Sequence, residues 1–321
     1  MKRLFALLIV AALFGRPLPG APIRDGNVVA ELVSPVASIE PGHPFTVGLR
    51  LQHDPHWHTY WLNPGTGLPT TLTWHLPPRW KAGDIQWPTP TLVKDTRGNI
   101  AGMGYQGEVF LLVTLTPPAT LPPKGEVTLK ADASWLMCSE ECVPGDAALS
   151  LTLPVSDGPP PADPQWSGKI ARAEASLPKA LPNWHLAASR SGTTVTLTVT
   201  PAAGSPAHTP EGLYFFSADG LIDYSQPQSV HAKDGGFEIT MPVGDSAPPN
   251  DARLVGVLSS ADGWEPGGSS PGLKVDVPLT PRGAAPAGAG LSGPSSSGKS
   301  GSGGGAGVAS AGGRPSGAAS G

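Results

Sequence analysis

Apolar and polar positions alternate with a period of two along most of this chain. Val28-Val-Ala-Glu-Leu-Val-Ser34 and Phe45-Thr-Val-Gly-Leu-Arg-Leu-Gln52 read as half-buried strands, with Pro41-Gly42 marking the turn between them. Trp57-His-Thr-Tyr-Trp-Leu-Asn-Pro-Gly65 predicts a strand that ends in a turn. Thr70–Leu76, Glu108–Leu115, Val127–Trp135 and Ala147–Pro154 predict further strands. A second set follows, at Thr193–Thr200, Gly212–Phe216, Gly236–Met241, Ala252–Leu258 and Leu273–Leu279, and Ala171–Leu177 predicts a brief helix. Short strands at this spacing, with turn signals and no sustained helical period, predict an all-β chain of two antiparallel sandwiches in tandem.

The pattern breaks between Pro88 and Tyr105. Lys94-Asp-Thr-Arg-Gly-Asn-Ile-Ala-Gly-Met-Gly-Tyr105 is polar and glycine-rich, and is expected to be a loop. One reading is an ordinary solvated loop. The other is a mobile cap whose apolar side chains, Met103 and Tyr105, cover a reactive site.

Composition sets the boundaries. With 321 residues, 42 of them glycine and 39 proline, the chain is long enough for two domains and rich in turns. Residues 1–21 read as a secretory signal: a basic start at Lys2-Arg3, an apolar run from Leu4 to Phe14, then small residues at Gly20 and Ala21. Residues 22–158 form the first sandwich, 159–168 a stiff proline-rich linker, and 169–280 the second sandwich. Residues 281–321 are Gly, Ala and Ser with scattered prolines, unable to bury enough apolar surface, and are expected to be disordered. No later stretch is apolar and long enough to span a bilayer. Charged residues make up 14% of the chain and the net charge is −4, so no basic field speaks for nucleic acid.

The candidate chemistry is sulfur. The chain holds 2 cysteines, and both lie in Ser134-Trp-Leu-Met-Cys138-Ser-Glu-Glu-Cys142-Val-Pro-Gly145, between two alternating runs. A hairpin would place Cys138 and Cys142 opposite each other at its tip, about 4.5 Å apart at Cα, within disulfide range. Export places them in an oxidising compartment. As a staple, a ring this small contributes about 2 kcal/mol, against more than about 4 for a long loop. As a redox pair, a small exposed ring is of the labile kind. Glu140 and Glu141, between the cysteines, would raise the thiol pKa values, and no Lys, Arg or His adjoins them in sequence. Such a pair is suited to being attacked by a partner's thiolate.

Other constellations carry less. His53-Asp-Pro-His56-Trp-His58, with His43 and His75 further off, admits a copper or zinc reading. No Cys-rich or Met-rich tract accompanies the histidines, so solvated or hydrogen-bonded strand histidines are favoured and no metal or cofactor is assigned. There is no Gly-x-Ser-x-Gly for serine hydrolysis, and Gly102-Met-Gly104 lacks the βαβ setting of a dinucleotide site. The tryptophans at 57, 61, 74, 80 and 87 are read as core and rim packing, with a carbohydrate platform as the alternative.

Taken together, Trp57–Gly65, Leu68-Pro-Thr-Thr-Leu-Thr-Trp74, Ile85-Gln-Trp-Pro-Thr-Pro90, Gly104-Tyr-Gln-Gly-Glu-Val109 and Ser134–Gly145 resemble the periplasmic N-terminal region of DsbD/ScsB thiol:disulfide interchange proteins. The resemblance covers roughly residues 25–280 and is closest to the ScsB-like branch. It implies an immunoglobulin-like domain with a redox-active pair at Cys138 and Cys142, followed by a second immunoglobulin-like sandwich. It implies that Cys142 forms the mixed disulfide with partners, and that Met103 and Tyr105 end a cap loop. An acidic residue near the family's site would correspond to Asp95 or Glu108. The electron donor implied is a membrane-embedded reductase domain fed by cytoplasmic thioredoxin. The acceptors implied are periplasmic disulfide isomerases, cytochrome c maturation thioredoxins or peroxiredoxin-like proteins, within a protein-disulfide reductase system. Full-length members continue into a multi-helix membrane segment and a thioredoxin-like domain, where this chain has its Gly/Ala/Ser run. A free-standing domain and a shifted reading frame both account for that departure. The competing reading from another class is a secreted sandwich that binds metal or glycan and carries a purely structural disulfide.

Overall fold

The computed structural model describes residues 20–281, apart from 96, 206–208, 246, 248–251, 266 and 269. All but the end of the expected signal segment, and the expected disordered tail from residue 282, lie outside the described residues.

The first sandwich is built from eleven strands. They are β1 (Ile23–Asp25), β2 (Val28–Val33), β3 (Phe45–His53), β4 (His58–Tyr60), β5 (Thr71–His75), β6 (Lys81–Ala82), β7 (Thr91–Lys94), β8 (Ile100–Gln106), β9 (Glu108–Thr116), β10 (Glu126–Cys138) and β11 (Cys142–Pro154). One sheet runs β1-β2-β3-β9-β6 and the other β11-β10-β4-β8-β7, with β5 also paired to β10. The free edge of β10 is therefore shared: β5 takes Lys130–Ser134, and β4 meets it at Cys138. Between the sheets lies an apolar core that includes Leu49, Leu51, Leu111, Leu129, Trp135 and Met137. Alternation decides which side chains enter it. Along β10, Leu129, Ala131, Ala133, Trp135 and Met137 face inward, while Thr128, Lys130, Asp132 and Ser134 face solvent.

The single helix among the described residues, α1 (Ser167–Ala175), belongs to this unit too. Its Ile170 and Ala173, with the preceding Trp166, pack on Val33, Phe110 and Leu112 on the outer face of the first sheet. It starts earlier than the apolar pattern predicts, because Asp163 Oδ1 accepts the backbone N–H groups of Gln165 and Trp166 at 2.8 and 2.9 Å and so organises the entry turn. Lys169 of α1 and Arg50 of β3 both bind the Glu108 carboxylate, and these bonds hold it below its ordinary pKa against the opposing effect of burial.

The second sandwich comprises β12 (Trp184–Ser191), β13 (Thr194–Pro201), β14 (Tyr214–Ser217), β15 (Ser229–Lys233), β16 (Gly236–Pro242), β17 (Arg253–Ser259) and β18 (Gly272–Pro281). They form one ladder, β14-β17-β18-β12-β13-β16-β15, around a core centred on Trp184, Phe215, Ile239, Leu258 and Trp264. The ladder is antiparallel except where β12 and β18 run parallel at Ala188–Arg190. This all-β architecture of two packed sandwiches is the one the alternation predicts.

Both sandwiches belong to one compact unit. Phe216 and Val257 of the second join the apolar core of the first, and Trp61 meets Phe216 edge-on with ring centroids 6.1 Å apart. Of the clustered tryptophans, Trp61 and Trp80 are buried and Trp57, Trp74 and Trp87 pack partly buried against the same core.

The segment Lys94–Tyr105 is not a free loop. Thr91–Lys94 and Ile100–Gln106 pair as a hairpin, and β8 also pairs with β4. The glycines that suggest a loop are required for close packing instead. Gly102 (φ +150°) and Gly104 lie where a Cβ would run into the Pro64 and Thr59 carbonyls.

Candidate redox site

β10 and β11 are paired along their whole length, from Glu126 opposite Pro154 to Cys138 opposite Cys142. The turn Ser139-Glu140-Glu141 is closed by the Ser139 N–H donating to the Glu141 carbonyl at 3.1 Å. The cysteines are disulfide-bonded, with Cα atoms 4.2 Å apart and an S–S distance of 2.03 Å. This is the short cross-strand geometry expected from their spacing.

Parity places the disulfide on the outer face of its sheet, since Cys138 follows Ser134 and Leu136 rather than Trp135 and Met137. Thr128, Lys130, Asp132 and Ser134 on that face are exposed and Leu136 is half-buried, yet Cys138 is only 2% exposed. Cys142, its partner, is exposed. The difference comes from what lies over the β4 side of the pair. Cys138 faces His58 across the ladder, and Gln106 of β8 faces His58 in turn. Paired residues share a face, so Gln106, His58, Cys138 and Cys142 form one row. Two positions on, Tyr60 leans over the row, with its hydroxyl 3.8 Å from Cys142 Sγ.

Tyr60 is held by a strap, residues 61–67. The Tyr60 ring sits between Gly67 (φ +90°) and Gly102, where Cβ atoms would come within 2.5 and 3.0 Å of it. The strap is laced to β8 by three bonds: Trp61 N–H to Met103 O at 2.9 Å, Met103 N–H to Pro64 O at 3.0 Å, and Thr66 Oγ1–H to Ala101 O at 2.6 Å. On its far side Asn63 Nδ2 donates to the Ser217 carbonyl of the second sandwich, and Gly65 packs against the Tyr224 ring. Leu62 within the strap and Leu68 just after it are exposed.

The histidines divide. His53 is buried, its Nδ1 bonded to Gly107 O at 2.7 Å and its Nε2 to Thr59 Oγ1 at 2.9 Å; burial holds it below its ordinary pKa. His58 is 2% exposed and neither ring nitrogen has a hydrogen-bond partner. Burial, with a smaller contribution from His53, pushes its pKa down to about 4. Its ring meets the Tyr60 ring edge-on at 5.1 Å. His56, in a turn at φ +70°, lies outside this arrangement, while His75 bonds Asp132 and His43 lies near Glu40. Among the described residues no group of three or more His, Cys, Asp or Glu is placed to hold a metal ion.

Two expectations for the site need correction. Met103 and Tyr105 do not cover the disulfide. Tyr105 pairs with Thr59, one position out of phase with His58 and Tyr60, so both side chains point into the core on the opposite face. Tyr105 donates its hydroxyl to Pro88 O at 2.7 Å, and burial raises that phenol well above its ordinary pKa. Met103 contributes through its backbone, which anchors the strap. Neither suggested carboxylate joins the cysteines. Among the described residues the Asp95 carboxylate accepts from Asn99 and Arg97 in its own turn, bonds that lower its pKa, and Glu108 serves Arg50 and Lys169. Sequence reasoning named His58 only as a candidate metal ligand and missed its place, with Tyr60, beside the disulfide. Both stand in the Trp57–Gly65 motif, and the only available signal was the shared parity of two polar aromatics at 58 and 60.

Comparison with known proteins agrees with this geometry. Residues 29–154 match the family model described as thiol:disulfide interchange protein DsbD, N-terminal. The structure is similar to the crystal structure of the N-terminal periplasmic domain of ScsB from Proteus mirabilis, with a TM-score of 0.56 and 19% sequence identity over 80% of this chain and 95% of that one. No curated protein matches the sequence. Residues 29–154 therefore form a DsbD/ScsB-like N-terminal domain, a thiol:disulfide interchange module built around a close cysteine pair.

Proposed function

We propose that the Cys138–Cys142 pair relays reducing equivalents in the periplasm. It takes them from a membrane-embedded thiol reductase domain and passes them to thioredoxin-like, isomerase or peroxiredoxin-type acceptors. The observation that carries this reading is the asymmetry of the pair, with Cys142 exposed and Cys138 2% exposed. A visiting thiolate meets the exposed Cys142 in preference to the covered Cys138, which makes Cys138 the leaving group. The Proteus ScsB domain, described as periplasmic, and the expected export signal support the compartment.

The exchange balances without a cofactor. A donor thiolate attacks Cys142 Sγ, the Cys138–Cys142 bond breaks, and the electron pair leaves on Cys138 Sγ. The donor's second thiolate then attacks its own sulfur in the mixed disulfide and releases Cys142. The donor is oxidised to a disulfide and this domain holds two thiols. Transfer to an acceptor is the same sequence reversed, with Cys142 as attacking thiolate.

Cys138→Ala tests the reading. Expressed in the periplasm, this variant is expected to accumulate mixed disulfides through Cys142 that dissolve with dithiothreitol, whereas Cys142→Ala is expected to accumulate none. Absence of any captured partner in Cys138→Ala would overturn the relay.

A further inference from the structure

His58 is the one buried side chain in the row whose polar atoms have no partner. A buried imidazole with both nitrogens unsatisfied is costly unless something else uses them. It faces Cys138, which the exchange chemistry turns from a neutral disulfide sulfur into a thiolate. Directly paired residues have Cβ atoms about 4.5–5.5 Å apart, so a small reorientation of the ring brings a nitrogen to the sulfur. A disulfide sulfur is a poor acceptor, whereas a thiolate is a strong one.

We propose that His58 is the proton partner of Cys138, idle while the disulfide is closed and engaged once it opens. The inference rests on the relay reading above. When the electron pair arrives on Cys138 Sγ, the N–H of neutral His58 donates to it. The new negative charge then draws one proton from solvent, which the sulfur and the imidazole share. When the disulfide closes again, the imidazole takes the Cys138 proton, the freed thiolate attacks Cys142 Sγ, and the partner leaves as a thiolate. One proton thus enters and leaves with the breaking and making of each S–S bond at Cys138.

The surroundings leave this role to His58. From β3, His53 has both nitrogens engaged with Gly107 and Thr59. From β8, the residue facing His58 is Gln106, which carries no charge. On β4 itself the Tyr60 ring stands nearly perpendicular to His58 and its hydroxyl lies against Cys142, and burial, with Tyr224 adding to it, raises that phenol above its ordinary pKa. In the turn, Glu140 and Glu141 are exposed. The depressed pKa of His58 agrees with an imidazole kept neutral until a charge appears beside it.

The test is an NMR titration of the His58 imidazole in the oxidised protein, the reduced protein and Cys138→Ala. On reduction its pKa is expected to rise by about one to three units, the effect of a new neighbouring charge, and in Cys138→Ala to stay low. A pKa unchanged by reduction, or an equal rise in Cys138→Ala, overturns the proposal. Kinetics give a second reading. In His58→Phe, which keeps a ring against Tyr60, reduction of the disulfide by dithiothreitol is expected to slow about tenfold or more, with partial recovery in His58→Gln, which restores a donor. Equal rates in wild type and His58→Phe also overturn it. Partner capture by Cys138→Ala reports on the relay separately, because that variant captures without needing a proton at position 138.

Discussion

Asn63 Nδ2 donates a 2.7 Å hydrogen bond to the Ser217 carbonyl oxygen, so a residue of the second sandwich holds the strap that shields the disulfide in the first. Trp61 against Phe216 and Gly65 against Tyr224 reinforce the hold on either side. The strap in turn pins Tyr60 over Cys142. Loosening this grip is expected to uncover the sulfurs. In Asn63→Ala the lost bond costs about 1 kcal/mol of stability, and the rate of reduction by a small thiol rises several-fold. Stopped-flow reduction with dithiothreitol measures it; a rate equal to wild type would show that the strap does not limit access.

The two thiols of the reduced protein are expected to differ in access. Cys142 is exposed and Cys138 is 2% exposed. Iodoacetamide therefore modifies Cys142 first, by at least about tenfold in rate, as mass spectrometry of timed samples would reveal. Equal labelling would remove the structural basis for calling Cys142 the attacked sulfur.

Gly67 is expected to be intolerant of a side chain. Its φ is +90°, and a Cβ there would lie 2.5 Å from the Tyr60 ring. Gly67→Ala forces the ring or the strap to move, at a cost of about 1–3 kcal/mol. The variant is expected to unfold at lower urea and to reduce faster. Gly98→Ala is the control: its φ is +85°, but no atom lies within 4 Å of the added Cβ. It suffers the backbone strain without the clash, so reduction at its wild-type rate is expected.

Stability is expected to fall below neutral pH because of the buried histidines. The folded-state pKa of His58 is about 4, against an ordinary value of 6.5, and that of His53 is lowered too. Between those values the unfolded chain binds more protons than the folded one, so stability rises with pH there. The His58 contribution is complete above about pH 6.5 and is lost as the pH falls toward about 4. Its size is at most about 3 kcal/mol. Urea midpoints at about pH 7 and about pH 4.5 are expected to differ less in His58→Phe than in wild type. An identical difference would mean that His58 is not buried neutral.

How much of this was legible beforehand varies by element. β10 and β11 are plain in the sequence because each holds strict alternation over most of 13 residues, and because the cysteine spacing sets their register. The strand expected within Trp57–Gly65 is there as β4, but its three residues do not show its neighbours; β8 and the end of β10 pair with it from opposite sides. The β7–β8 hairpin was hidden for a different reason. Gly102 and Gly104 signal a loop locally, whereas here they admit the Tyr60 ring and the Thr59 backbone. The start of α1 rests on an Asp163 side chain in a stretch whose prolines read as a linker.

The sequence by itself determined that Cys138 and Cys142 meet. A hairpin is a local object, and alternation of period two fixes which side chains share a face. Only the tertiary structure decided that Cys138 is buried while Cys142 is exposed, and that an imidazole stands beside the buried one. Those facts depend on β4, a strap and the Phe216–Tyr224 stretch of the second sandwich, all contributed from positions roughly 70 residues or more away along the chain. Long-range coverage leaves no periodic trace in the residues it covers.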